Sequence, residues 1–256
     1  NLAAAAANKA RHGMNESIAR LSTGIRAMYG GDAAGHSVAT THAAEGKSYA
    51  AATRNIEDGI SYLQTGESVL LEVANLATRL RELGIQADNA ALLATATQVA
   101  AMNSEAILIG DTIDQILDKT DFNTVEVVDS AGAKTVAVNY VGEASGTTFT
   151  TGPGVAITAM GNITAAAGAD GTADTMLGKL AEALGNIAAD LTALKAFQGA
   201  ASSTGANLMA SSARLMDTDY ALETANLTKN SILNQAALSM AAQANSAQSA
   251  ILSVLQ

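Results

Sequence analysis

RLMDTDYALETANLTKNSILNQAALSMAAQANSAQSAILSVLQ, Arg214 to Gln256, closes the chain and decides how the rest of it is read. Within this stretch Leu233, Ala237, Met240, Ala244, Ala247, Ile251 and Val254 recur at alternating steps of four and three. That spacing holds one apolar seam on one side of a helix and calls for a partner helix. Three of these seven residues are alanine. Small side chains let two backbones approach closely, but each buries little apolar area. Such a helix is weak alone and gains stability only by packing along its length.

The natural partner lies at the other end. Leu2 to Ala7 has high helix propensity. Met14, Ile18, Leu21, Ile25 and Met28 then repeat at four and three, so residues 1–28 are expected to form a helix that pairs with the last one. Tyr29-Gly30-Gly31 is the expected break, and Asp32 to Ser48 reads equally as helical or extended.

Working inward, a long amphipathic helix is expected from Asn55 to about Ala87, with Val69, Val73, Leu76, Leu80 and Leu83 on its seam. Asp88-Asn89 reads as a break. A second helix runs to about Asp118 with Val99, Met102, Ala106, Ile109, Ile113 and Ile116 in register. Each would be about 45 Å long at the usual helical rise. Helix returns at Thr175, where Leu177, Leu180, Leu184, Ile187, Leu191 and Leu194 keep the same period.

Residues 122–175 differ. Glycines and the single proline, Pro153, cluster there, and Val125/Val127 and Val136/Val138/Tyr140 alternate, which predicts one or two β-hairpins. The expected fold class is therefore mainly α. It is a long antiparallel helical rod and coiled coil, with a small β-hairpin region at the tip.

Composition narrows the function. Aromatics are only 3% of the 256 residues, a thin supply of large core side chains that suits narrow helical packing. The net charge of −10 argues against nucleic acid, whose phosphates need clustered Lys and Arg, and against an anionic membrane surface. With no cysteine, disulfides, thiolate nucleophiles and zinc-thiolate sites are excluded. No stretch reaches the length of a transmembrane helix.

Chemical sites are sparse. The only histidines are His12, His36 and His42, and the spacing of His36, His42 and Glu45 does not gather a metal on one helical face, so no metal or other cofactor is expected. Asp111/Asp114 and Asp217/Asp219 are the carboxylate pairs, and solvated helix faces explain such pairs. Asp217-Thr218-Asp219-Tyr220 instead reads as the start of the last helix, with a carboxylate at its N-terminus. No nucleophile–base set can be assembled, and no enzyme is expected. Asn226 and Asn230 share the phase of Leu233 if the register is extended backward, where a seam asparagine would fix register; the alternative is that the helix does not extend that far and both are solvated.

Between the seams, several segments resemble bacterial flagellins. Arg20-Leu21-Ser22-Thr23-Gly24-Ile25-Arg26 resembles their RLSTG-hydrophobic-R segment, and Gly31-Asp32-Ala33-Ala34-Gly35 their DDAAG. Arg54 to Ser61 resembles RNANDGIS, Leu80 to Ala87 resembles LRELAVQA, and Phe122-Asn123-Thr124 matches FNG or FNT. Asp217 to Glu223 resembles DADYAxE, Ala241 to Asn245 matches LAQAN, and Ala250 to Leu255 the closing VLSLL. The matches run in family order over roughly 1–124 and 177–256. Departures are local: Gly31 replaces an Asp, His36 an aliphatic residue and Ala247 a proline, and the loop after Arg26 is shorter.

The resemblance implies a terminal coiled-coil domain from 1–28 and 222–256, a connecting segment from 29–48 and 209–221, and a rod domain over 49–208 that contains the 122–175 excursion. It implies a structural subunit, exported by the flagellar type III system without a cleaved signal. That subunit polymerises into the extracellular flagellar filament for swimming. The alternative is the related hook–filament junction protein, against which the AQAN and VLSLL-like segments speak. A secreted effector or enzyme on a helical scaffold is the remaining class. Implied partners are further copies of the chain, an export chaperone, the filament cap, hook-junction proteins and a vertebrate Toll-like receptor, the last through Arg81, Glu82 and Leu83. The expected self-assembly seam is Met14, Ile18, Leu21 and Ile25 with Leu233, Ala237, Met240, Ala244, Ala247, Ile251 and Val254. Thr147, Thr148, Thr150 and Thr151 are candidate O-glycosylation sites in the outer region.

Overall fold

The computed structural model describes residues 2–26, 32–89, 95–128, 134–137, 148–153, 157 and 163–254. Five helices carry these residues: α1 (Leu2–Thr23), α2 (Ala33–Asp88), α3 (Ala96–Lys119), α4 (Ala169–Met216) and α5 (Tyr220–Val254). Between α3 and α4 lie β1 (Asp121–Phe122), β2 (Val125–Glu126), β3 (Lys134–Ala137) and β4 (Thr148–Thr151). The chain divides into two compact units, one of 1–46 with 206–256 and one of 47–205. The sequence reading placed its rod-domain limits at 49 and 208.

In the 47–205 unit the periodic aliphatic residues of three helices form one core. Leu63, Leu70, Val73, Ala77, Leu80 and Leu83 of α2 are buried with Ala106, Ile113 and Leu117 of α3 and Met176, Leu180, Ala183, Ile187 and Leu194 of α4. Val69, Leu76, Ile109, Ile116, Leu177 and Leu184 flank that core, half-buried. Helix α3 starts at a capping residue, Thr95, whose N–H donates to Gln98 Oε1 at 2.8 Å. Gly84 lets the start of α4 come against α2, because a Cβ there would collide with the backbone nitrogen of Asp170.

The hairpin β1–β2 is antiparallel, with Phe122 opposite Val125. Its two central residues, Asn123 and Thr124, have φ of 52° and 65°, the left-handed pair of a tight hairpin turn. Tyr62 on α2 anchors it, stacking edge-on against Phe122 at 6.0 Å and donating to the carbonyls of Glu126 and Val127. β3 pairs antiparallel with β4, Lys134 opposite Thr151. Asp190 on α4 fastens β4, accepting from Thr151 Oγ1 and from the N–H of Gly152. Asn186 donates to Pro153 O, and Asn103 on α3 accepts from the N–H of Ala166. The expected strand residues Val138 and Tyr140 and the expected turn at Ser130-Ala131-Gly132 lie outside the described residues.

Several boundaries differ from the sequence reading. The first helix ends at Gly24, not at Tyr29: Gly24 has φ of 70°, and its N–H closes the last turn on Arg20 O at 2.8 Å. The segment left open between helix and strand is helical, so α2 begins at Ala33 and not at Asn55. Asp32 starts it, accepting from the N–H of Gly35 through Oδ1 at 2.8 Å. Thr40, Thr41 and Thr53 return their hydroxyls to carbonyls of the preceding turn, so these β-branched polar residues sit within the helix. Helix α4 begins at Ala169, ahead of the expected Thr175.

Candidate assembly interface

The 1–46 and 206–256 unit is built on α1 and α5, which pack together. Two breaks in helix are joined beside them. Ile25 and Asp217 form an antiparallel bridge, the Arg26 N–H donates to Met216 O at 2.7 Å, and the Thr218 N–H donates to Gly24 O at 2.9 Å. The Arg26 guanidinium joins the end of α4 to the start of α2, donating to Leu215 O at 3.0 Å and to Asp32 Oδ2 at 2.9 Å. The Gly35 N–H and then Arg26 hold the Asp32 carboxyl below its ordinary value of 3.8. Asp219 caps α5, accepting from the N–H groups of Ala221 and Leu222.

The face that α1 turns to α5 is made of small and polar residues. Ala7, Ala10 and Ser17 are buried on α1, and Glu223 and Ala237 on α5. Asn226, Leu227, Asn230, Asn234 and Ala241 are half-buried along the same side. Arg20 Nη1 lies 3.6 Å from Glu223 Oε1, whose side chain is nearly enclosed. Gly13 lies under Asn230, so close that a Cβ at Gly13 would stand 2.7 Å from Asn230 Nδ2.

The expected seam is split by this arrangement. Ala237 is buried, and Met14 and Leu21 are half-buried between the helices. Ile25 is half-buried in the bridge to Asp217 rather than on a helix, because α1 has stopped at Gly24. Ile18, Leu233 and Met240 are exposed by 49%, 49% and 59%, and Ala244 and Ala247 are exposed as well. The described side chains end before Ile251 and Val254. The internal contact therefore lies partly round each helix from the aliphatic stripe. Close approach of backbones favours the small face, and the stripe is left outward. Leu222, Ile232 and Leu238 extend the outward apolar surface of α5.

The remaining candidates fall elsewhere. Leu83 is buried in the helical core, while Arg81 pairs with Asp174 at 2.6 Å and Glu82 with Arg79 at 3.2 Å on the surface. Arg79 also pairs with Glu105 at 2.8 Å, and Glu105 and then Glu82 raise its pKa. Thr150 is exposed, but Thr151 is buried with its hydroxyl committed to Asp190, which removes it as a glycan acceptor in the folded chain. Thr148 lies in β4, and Thr147 is outside the described residues. His42 Nδ1 is 3.1 Å from Ser211 Oγ, and His12 is 3.5 Å from Glu16. Among the described residues no cluster of His, Asp and Glu could hold a metal, and no helix is long and apolar enough to cross a membrane.

Gly13, Ser17, Arg20, Glu223 and Asn234 were missed as interface residues. A signal existed for two of them. Gly13 is the only glycine inside α1, and Glu223 precedes Asn230 by one heptad.

Comparison with known proteins agrees with this architecture. Residues 1–133 match the family model described as bacterial flagellin N-terminal helical region, and residues 170–255 the bacterial flagellin C-terminal helical region. A flagellin of Halalkalibacterium halodurans is 33% identical over 94% of this chain and 91% of its own length. A flagellin of Bacillus subtilis is 28% identical over 94% of this chain and 92% of its own. A flagellar filament core protein of Brachyspira hyodysenteriae is 28% identical over 95% and 92%. The crystal structure of Bacillus cereus flagellin aligns with 60% of this chain and 88% of its own at a TM-score of 0.41 and 25% identity. Two helical termini that match the family's two conserved regions in order, joined by a short β-containing excursion, place this chain in the bacterial flagellin family.

Proposed function

We propose that this chain is a structural subunit of the extracellular flagellar filament, and that its self-association runs through the outward apolar stripe of α1 and α5. The observation that carries the second half is the division of labour in the terminal pair. Small and polar residues face inward, and Ile18, Leu222, Ile232, Leu233, Leu238 and Met240 face outward. Large apolar side chains exposed together on one helix pair mark an interaction surface. Burying the exposed half of Leu233 or Met240 against a neighbouring copy is worth about 1 kcal/mol each. In this reading 1–28 and 222–256 form the assembly domain, 29–48 and 209–221 connect, and 49–208 forms the filament body. Met14, Leu21 and Ala237 hold the pair together, while Ile18, Leu233, Met240, Ala244, Ala247, Ile251 and Val254 meet other subunits.

Finer partners follow from the same surfaces. The stripe on α5 needs cover before assembly, which supports an export chaperone as a partner. The filament cap and the hook-junction proteins would meet the same chain ends. For a Toll-like receptor the accessible part of the candidate surface is Arg81 and Glu82 with Arg79 and Glu105, since Leu83 is buried. Reporter-cell activation by the purified monomer, lost in Arg81→Ala with Glu82→Ala, is the expected result. Equal activation by both proteins would remove that partner.

The test of the main reading is electron microscopy of the full-length chain after salt-induced polymerisation. Salt screens the repulsion between subunits of charge −10 and strengthens apolar contact. Long helical filaments are expected. Short caps alone would indicate a junction protein instead.

A further inference from the structure

We propose that Arg20 and Glu223 form an ion-pair latch that must close between α1 and α5 for the chain to enter a filament, and that Glu223 is the member that cannot be left alone. This rests on the function proposed above and names two side chains that condition it. Among the described residues Glu223 is the only charged one that is buried. Its Oε1 lies 3.6 Å from Arg20 Nη1, and no other cation among the described residues pairs with it. The two side chains are enclosed unequally: that of Glu223 is 8% exposed and that of Arg20 33%.

The chain brings these charges together at matched helix ends. Arg20 stands in the last turn of α1 and Glu223 in the first turn of α5. Each sits where the helix dipole favours its sign. The backbone join beside them, where the Thr218 N–H donates to Gly24 O at 2.9 Å, sets the end of one helix against the start of the other. Pairing then takes the Glu223 carboxylate out of water. With a cation beside it, the loss of hydration and the attraction nearly cancel; without one, the enclosed carboxylate is strongly unfavourable. The latch therefore adds little strength and imposes a condition: while Glu223 is present, pairing needs Arg20. The reverse is weaker, because a guanidinium with a third of its surface exposed can turn its head to water on its long stem. The condition applies whenever the two helices pair, including pairing that takes place only as a subunit joins the filament.

This asymmetry gives the test. The critical concentration for salt-induced polymerisation is measured by sedimentation for the wild-type chain, Arg20→Met, Glu223→Met and the double variant. Arg20→Met strands the carboxylate and should raise the critical concentration at least about tenfold. Glu223→Met should raise it by less than about threefold. Adding Glu223→Met to Arg20→Met should bring the value back to within about threefold of wild type, although it removes a second native side chain. Urea unfolding of the same chains should be unchanged, because both residues lie outside the 47–205 unit.

Polymerisation of Arg20→Met at the wild-type concentration would overturn the latch. So would a double variant no better than Arg20→Met, or a greater loss in Glu223→Met than in Arg20→Met. A lowered urea midpoint in Arg20→Met would overturn it as well, since the loss would then lie in the 47–205 unit and not in the pairing. A wild-type chain that forms no filaments in the same buffer would overturn the proposed function and the latch with it, whereas the preceding outcomes leave that function standing.

Discussion

The 47–205 unit and the terminal pair are both helical, yet they are built from opposite materials. In the first, Leu63, Leu70, Leu80, Leu83, Ile113, Leu180 and Leu194 are buried against one another. In the second, the buried residues are alanine, serine and glutamate, and Ile18, Leu222, Ile232, Leu233, Leu238 and Met240 are exposed. A core of branched and long aliphatic residues stabilises itself. An interface of small and polar residues sets geometry with little apolar area to hold it. The difference teaches where each region draws its stability: the 47–205 unit from its own interior, and α1 with α5, in the proposed assembly, from what covers their outer face.

The strongest way to test that contrast is in the core. Leu80→Ala should destabilise the 47–205 unit by about 2–5 kcal/mol, read by urea unfolding of the monomer. If it unfolds at the wild-type urea concentration, the interior is not the source of stability. Gly84→Ala probes the closest approach of α2 and α4. The added Cβ meets the backbone of Asp170, which cannot move as a side chain can, and a loss of about 1–3 kcal/mol is expected by the same measurement.

A smaller effect of opposite sign is expected at the hairpin. Thr124 is β-branched and held at φ of 65°, so Thr124→Gly should raise stability by about 1 kcal/mol, seen as a higher melting temperature. A lower one would mean that the Thr124 side chain contributes more than its backbone costs.

The smallest effect belongs to the exposed junction at Arg26 and Asp32. The folded-state pKa of Asp32 is depressed, so its contribution is present above the ordinary value of 3.8 and is lost as pH falls through the lower folded value. Asp32→Asn should therefore lower neutral-pH stability slightly and flatten the dependence of helical signal on pH below about 4 by the same small amount. An unaltered acid profile would show that Asp32 does not couple the two helix ends.

What was legible in the sequence follows the same division. In the 47–205 unit the seams could be read because Leu, Ile and Val recur at four and three. In α2 the expected Val73, Leu80 and Leu83 are buried, while Leu70 and Ala77 take the central places expected of Val69 and Leu76, which flank them half-buried. In the terminal pair, two stripes at helical spacing coexist on each helix, one aliphatic and one small. Hydrophobicity alone points to the aliphatic one, whereas the fold packs the small one. Residues 33–54 carry too few large side chains to show a period, so their helix was not legible, although Asp32 before an alanine-rich run is a capping signal. The attachments of Asp190 to Thr151 and of Asn103 to Ala166 join residues far apart in the chain, and no local pattern marks them.

The most direct measurement compares the wild-type chain with Leu233→Asp/Met240→Asp, by monomer melting and by electron microscopy after salt-induced polymerisation. Both side chains are exposed in the terminal pair, so the monomer should melt as wild type does, within about 0.5 kcal/mol, and form no filaments. Filaments at wild-type yield, or a monomer that loses stability as a buried-core variant does, would contradict the claim that the outward stripe is the assembly surface.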